Sequence, residues 1–178
     1  MKRQNIVQIA TVAAVVAWAF VIFSFSLHSG QASHAESNRV KSELLAILQR
    51  TGLPVNRGIY RIFYPFLKPG EMMNGDLFVR KTAHVLEYFI LGIFCTAAFL
   101  QRQWNRRWIF LCIGPAATLV DEKIIQQFLV SGRGSTFHDV ALDSLAFYLA
   151  VCFGILVAGC FAAMQASRRQ RSTQQVLK

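Results

Sequence analysis

Four long apolar stretches dominate the chain: about Ile6 to Leu27, Val79 to Leu100, Trp108 to Phe128 and Val140 to Met164. Each reaches or exceeds the ~20 residues a helix needs to cross a ~30 Å hydrocarbon core. With 178 residues, 54% of them hydrophobic and 16% charged, the composition is too apolar for an ordinary soluble domain. The expectation is an all-α, polytopic integral membrane bundle of four transmembrane helices with one long outer loop, residues 28–78. The third stretch is the least apolar, because Asp121-Glu122-Lys123 interrupts it.

The net charge of +10 invites a nucleic-acid reading until its distribution is considered. Lys2, Arg3, Arg102, Arg106, Arg107, Arg168, Arg169, Arg171 and Lys178 fall on one side of the four spans, with no carboxylate among them. That asymmetry is a topology signal and places both termini in the cytoplasm. Anionic lipid headgroups are a sufficient partner for the basic face, and no nucleic acid is implied. The first apolar run is longer than the ~7–15 residues of a signal-peptide core and lacks a clean cleavage site, so it is expected to stay as a membrane helix. Cys95, Cys112, Cys152 and Cys160 all lie in apolar runs and read as small buried hydrophobes, not disulfides or a zinc site.

A single transmembrane domain over 1–166 and a basic, mobile cytoplasmic tail over 167–178 follow from this pattern. Within the long loop, Val40, Leu44, Ile47 and Leu48 recur at helical spacing and predict a short amphipathic helix, stopped at Thr51-Gly52-Leu53-Pro54. The aromatic stretch Tyr60 to Leu67 suits a membrane interface. A loop that merely caps the bundle fits both pieces equally.

Charged groups in a membrane segment cost several kcal/mol (about 2.5–3.5 on insertion scales) and usually face a protein interior or a wet cavity. At ~100° per residue, Arg80, His84, Glu87 and Leu91 fall on one line of the second helix, with Lys81 and Tyr88 beside it. The third stretch carries Asp121, Glu122, Lys123, Gln126 and Gln127. At ~1.5 Å per residue Asp121 lies ~18 Å above Ile109 and Glu87 ~12 Å below Val79, depths that coincide in a ~30 Å core. The fourth begins with Asp139 and Asp143, and Ala146, Ala150 and Gly154 continue that face with small residues that permit close helix approach. The turn Ser131-Gly132-Arg133-Gly134-Ser135 adds Arg133 at the same mouth. One polar cluster in the outer half of the bundle is the expectation.

Two chemistries fit such a cluster. Its acids and bases nearly balance, so it can serve only as glue between helices. Alternatively, His84 beside Glu87 forms an acid/base pair within a site. His84-x-x-Glu87 with Asp121, Glu122, Asp139 and Asp143 also has the donors for a hard divalent ion, but no H-E-x-x-H signature occurs, and neither a metal site nor a cofactor is assigned. The glycines around Arg133 offer backbone N–H groups for an anion. His28, His34 and His138 read as ordinary loop residues, and there is no phosphate-binding glycine loop or G-x-S-x-G elbow.

Two blocks, "VRKTAHVLEYFILG" (Val79 to Gly92) and "DEKIIQQFLVSGRGSTFHDVALDS" (Asp121 to Ser144), resemble the signature segments of VanZ-like membrane proteins. The serine-rich "FSFSLHSGQASHAES" (Phe23 to Ser37) is similar to that family's exit from its first helix. The resemblance implies a bacterial plasma-membrane protein of about four helices, in a family named for resistance to lipid-bearing glycopeptide antibiotics. Its recurrent residues fall here on Arg80, Lys81, His84, Glu87, Tyr88, Gly92, Asp121, Glu122, Gln126, Gly132, Arg133, Asp139 and Asp143. The chain departs from the pattern in two places. The span from Asp121-Glu122 to Gly132-Arg133 is about two residues longer, which suggests a helical bulge and leaves open whether Gln126 or Gln127 faces the cluster. Ala146 stands where the family tends to have glycine.

Together these readings make His84, Glu87, Asp121 and Glu122 the candidate catalytic residues. Arg80, Lys81, Tyr88, Gln126, Arg133, Asp139 and Asp143 are the candidate ligand contacts. The expected partners are membrane lipids and a lipid-linked or amphiphilic envelope molecule. A rival is an interaction protein that works through the outer loop. A transporter would need oligomers, since four helices leave little room for a conduction path.

Overall fold

A computed structural model describes residues 2–27, 39, 42–43, 65, 75–101, 108–129 and 136–176. All regular structure among them is helical: α1 (Lys2–Ser26), α2 (Gly75–Phe99), α3 (Ile109–Leu119), a π-helical segment (Val120–Leu129) and α4 (Phe137–Val176). Three helices are long and apolar enough to cross a membrane, over Ile6–Ser26, Leu77–Phe99 and Phe137–Gln170. Their outer faces carry Ile9, Phe20, Leu86, Phe153, Leu156 and Phe161 exposed, an arrangement suited to lipid.

The third expected span is divided. Its α-helical part has 11 residues, or about 16 Å of rise, roughly half a ~30 Å core. The charged Asp121-Glu122-Lys123 falls in the wider π-helical part. Pro115 lies inside α3 and has no N–H for the carbonyl of Leu111. The hydroxyl of Tyr148 on α4 donates to that carbonyl instead, at 3.2 Å. In a lipid-facing helix an orphaned carbonyl has no water to turn to, so this bond carries the break.

α2 occupies the middle, packed on α1, α3 and α4, and the α2–α4 pair is the most extensive. Tyr88, Leu91, Cys95 and Ala98, at helical spacing on α2, share one buried core with Ala146, Phe147 and Val151 of α4. Small residues permit the approach: a Cβ on Gly92 would meet the Phe147 carbonyl oxygen at 2.5 Å and Ala150 Cβ at 2.8 Å. Likewise, a Cβ on Gly154 would meet Thr96 Cγ2 at 2.8 Å, and one on Gly114 would run into the Phe147 ring. The small face read from Ala146, Ala150 and Gly154 is thus the face that packs. α1 runs antiparallel to α2: Trp18 Nε1 donates to the Glu87 carbonyl at 2.9 Å, and Gln101 Nε2 donates to Thr11 Oγ1 at 2.7 Å.

The C-terminal residues expected to form a tail continue the helical backbone of α4 through Val176, and one expectation, on the cysteines, needs correction. Ala, Met, Gln and Arg are good helix formers, and no proline or glycine interrupts the chain after Gly159. Of the cysteines only Cys95 is buried; Cys112, Cys152 and Cys160 lie exposed on outer helix faces, where a small apolar thiol is at home against lipid. Of the amphipathic loop helix, Arg39, Ser42 and Glu43 are described and helical, with an Arg39–Glu43 pair at 3.3 Å. The rest of that helix, Tyr60 to Leu67 apart from Pro65, His28 and His34 lie outside the described residues.

Candidate functional site

Three elements bring polar side chains to one buried place. α2 contributes Lys81, His84, Glu87 and Tyr88; the π-helical segment contributes Asp121, Glu122 and Gln126; the first turns of α4 contribute Asp139 and Asp143. Tyr88 and Asp121 are 0% exposed, Asp143 1%, Glu122 2% and Gln126 5%. His84 and Glu87 are partly buried, with side chains 17% and 19% exposed. Arg80, one turn before His84, is half-buried, whereas His138 is exposed. Arg133 and its glycine turn lie outside the described residues.

The π-helical form explains how the neighbours Asp121 and Glu122 both turn inward. A π turn closes i→i+5, so successive residues diverge less in direction than in an α-helix. Asp121 and Gln126, five apart, therefore share a face, and Gln126 Nε2 donates to Asp121 Oδ2 at 3.3 Å and to Glu122 Oε1 at 2.8 Å. Gln126 thus faces the two acids, and the side chain of Gln127 lies outside the described residues.

Tyr88 donates its hydroxyl to Asp121 Oδ2 at 3.1 Å, joining α2 to the π-helical segment. His84 Nδ1 lies 3.6 Å from Glu87 Oε2, one turn along the same helix. Across the interface, His84, Asp121 and Glu122 each offer a ligand atom within 4.8 Å of the others. Asp143 sits within electrostatic range of Glu122, Asp121, Asp139 and Glu87. Its Oδ2 is buried and has no hydrogen-bond partner among the described residues.

Lys81 and Asp139 are engaged differently. They form an ion pair between α2 and α4, with side chains 9% and 21% exposed. Asp139 Oδ2 also accepts from Thr136 N at 2.9 Å and Thr136 Oγ1 at 2.8 Å. Thr136 precedes the first residue of α4, so Asp139 caps the start of that helix by accepting from the Thr136 N–H. The signal was legible as Thr136-x-x-Asp139, the T-x-x-D form of a helix start.

Two further buried hydroxyl residues were not singled out in the sequence. Ser26 is 1% exposed at the end of α1. Thr118, 0% exposed, lies 3.1 Å from Ser144 Oγ and donates to Pro115 O at 2.9 Å. A single serine or threonine in an apolar helix bonds its own preceding turn as readily as a neighbour, so position alone does not separate the two.

Chemically, a partly buried imidazole among carboxylates can exchange protons, accept hydrogen bonds from hydroxyls or amines, and ligate a cation. No curated protein and no solved structure gave a significant match to the chain. A family model described as VanZ/LLP1 matches residues 11–162, which include α2, α3, the π-helical segment and the part of α4 that build the cluster, and the chain belongs to that family.

Proposed function

We propose that this protein is a bacterial plasma-membrane protein whose polar pocket, near the outer face of a four-span bundle, recognises or modifies a cell-envelope molecule. The ligand class is one with an anionic or amphiphilic head: a lipid headgroup, a lipid-linked wall precursor or an amphiphilic glycopeptide antibiotic. Both termini lie in the cytoplasm. Arg80 and Arg133 hold the anionic part, while His84 and Glu87 orient it or exchange protons. Asp121, Glu122 and Asp143 engage amines or hydroxyls.

The observation that carries this reading is the convergence of His84, Asp121 and Glu122 within 4.8 Å in an otherwise apolar helix packing. Ionisable groups inside membrane segments are costly and mark binding or proton pathways by default. The family name adds the link to envelope chemistry.

For two residues a second role has its own support. The Lys81–Asp139 pair and the cap on Thr136 hold α2 to the start of α4 whatever the pocket binds. The test uses Glu87→Gln and Arg133→Ala in a susceptible bacterium challenged with a lipid-bearing glycopeptide. Both variants, present in the membrane at normal levels, are expected to lose protection. Full protection in both would reduce the cluster to packing. Loss confined to changes in the outer loop would favour a partner-binding protein.

A further inference from the structure

The break at Pro115 also separates two packings. α3 lies against α2 and α4, whereas its π-helical continuation packs its backbone on α1. Among the described residues that segment makes no comparably close backbone contact with α4. The chain therefore swings away from α4 just where the polar cluster begins.

Two ties bridge the space that this opens between the π-helical segment and α4. At its inner end Thr118 Oγ1 lies 3.1 Å from Ser144 Oγ. At its outer end Lys123 Nζ sits 4.1 Å from the centre of the Phe137 ring. Phe137 and Ser144 are seven residues apart on α4, about 10 Å of helix, so the ties frame a window of about that height. Behind it stand Glu122 and Asp143, both buried.

The rim of this window is apolar and faces outward. Leu119, Val120 and Ile124 on one side and Leu145 on the other are exposed, an arrangement suited to lipid. The inner tie joins two hydroxyls, one of them on the fully buried Thr118. The outer tie rests on Phe137, which is 72% exposed, and a cation–π contact at an exposed site is weak. The window is therefore held firmly at its inner end and loosely at its outer end. Its movable side is π-helical, a form that is rare and occurs mostly at functional sites.

We propose that the site is loaded from the bilayer, by a ligand that keeps its apolar anchor in the membrane and passes its head between the π-helical segment and α4. The Lys123–Phe137 contact is the catch on that entrance. The apolar rim takes the anchor, Lys123 meets an anionic group next to it, and Glu122 and Asp143 receive hydroxyls or amines of the head. This rests on the reading that the pocket takes an amphiphile, and adds the route and the order of groups along the ligand.

The experiment uses the full-length protein in lipid nanodiscs, with the four native cysteines replaced by alanine and Asp143→Cys as the only thiol. The probe is phosphatidylethanolamine carrying a maleimide on its headgroup. N-ethylmaleimide from water is the reference, and adducts are followed by mass spectrometry. Folded Asp143→Cys is expected to form the lipid adduct. Phe137→Ala should raise the lipid-to-soluble rate ratio about two- to fivefold, the share an exposed cation–π contact contributes to closure. Lys81 is level with Asp139, which places the exposed Leu86 near the depth of Asp143. At Leu86→Cys, Phe137→Ala should leave the ratio unchanged. Glu122→Cys repeats the test from the other side of the window should Asp143→Cys fail to fold. No lipid adduct at either buried position in folded protein overturns the proposal. So does a ratio that Phe137→Ala leaves unchanged, or raises equally at Leu86→Cys. The labelling needs no envelope ligand, so these results leave the amphiphile reading to the protection assay with Glu87→Gln and Arg133→Ala.

Discussion

The hydroxyl of Tyr88 on α2 donates to Asp121 of the π-helical segment at 3.1 Å, and both residues are completely buried. This bond fastens the segment that carries two of the cluster's acids to the central helix. Removing it leaves a buried carboxylate oxygen one donor short, which costs about 1–3 kcal/mol and more when the group is charged. Tyr88→Phe is therefore expected to lower unfolding stability in nanodiscs or detergent by at least ~1 kcal/mol. Denaturant titration reads the change.

The α2–α4 contact makes a steric prediction. A methyl at Gly92 meets Phe147 and Ala150 at 2.5 and 2.8 Å, whereas one at Gly159 meets nothing within 4 Å. Gly92→Ala should destabilise by about 1–3 kcal/mol through overpacking. Gly159→Ala, in the same helix class but open space, should be neutral or stabilising by roughly 0.5–1 kcal/mol. Thermal unfolding of the two variants side by side separates packing from helix propensity.

The break at Pro115 gives a coupled prediction. Tyr148→Phe removes the donor to Leu111 O and is expected to cost about 1 kcal/mol. In a Pro115→Ala background the new N–H at 115 supplies that carbonyl, so the same tyrosine change should cost little. A double-mutant cycle measures the difference as a coupling energy.

Much of this arrangement was legible in the sequence. Apolar run lengths located α1, α2 and α4, and the depth count placed Glu87 and Asp121 at one level. The family resemblance anticipated the irregular stretch after Asp121 from its two extra residues. The sequence could not set the register there: an α-helical count does not align Asp121 with Gln126, and only the i→i+5 geometry does. The Thr136-x-x-Asp139 spacing marks a helix start, but it does not divide Asp139 between cap and site, because a carboxylate there serves both with the same atoms. The Trp18 bond to the Glu87 backbone depends on which faces of α1 and α2 meet, and the nearly uniform apolarity of α1 hides its inner face.

The central claim is that the buried acids serve binding or chemistry instead of holding helices together. Asp143 tests it most directly, since its Oδ2 is buried with no hydrogen-bond partner among the described residues. Replacing a buried carboxyl group whose oxygen has no hydrogen-bond partner by a near-isosteric amide is expected to cost little stability, whereas residues kept for function lower stability where they sit. The measurement is melting temperature in chelator together with protection against a lipid-bearing glycopeptide, for wild type and Asp143→Asn at equal membrane levels. The account predicts an equal or higher melting temperature with protection lost. An unchanged level of protection, or a loss that only tracks a lowered melting temperature, would contradict it.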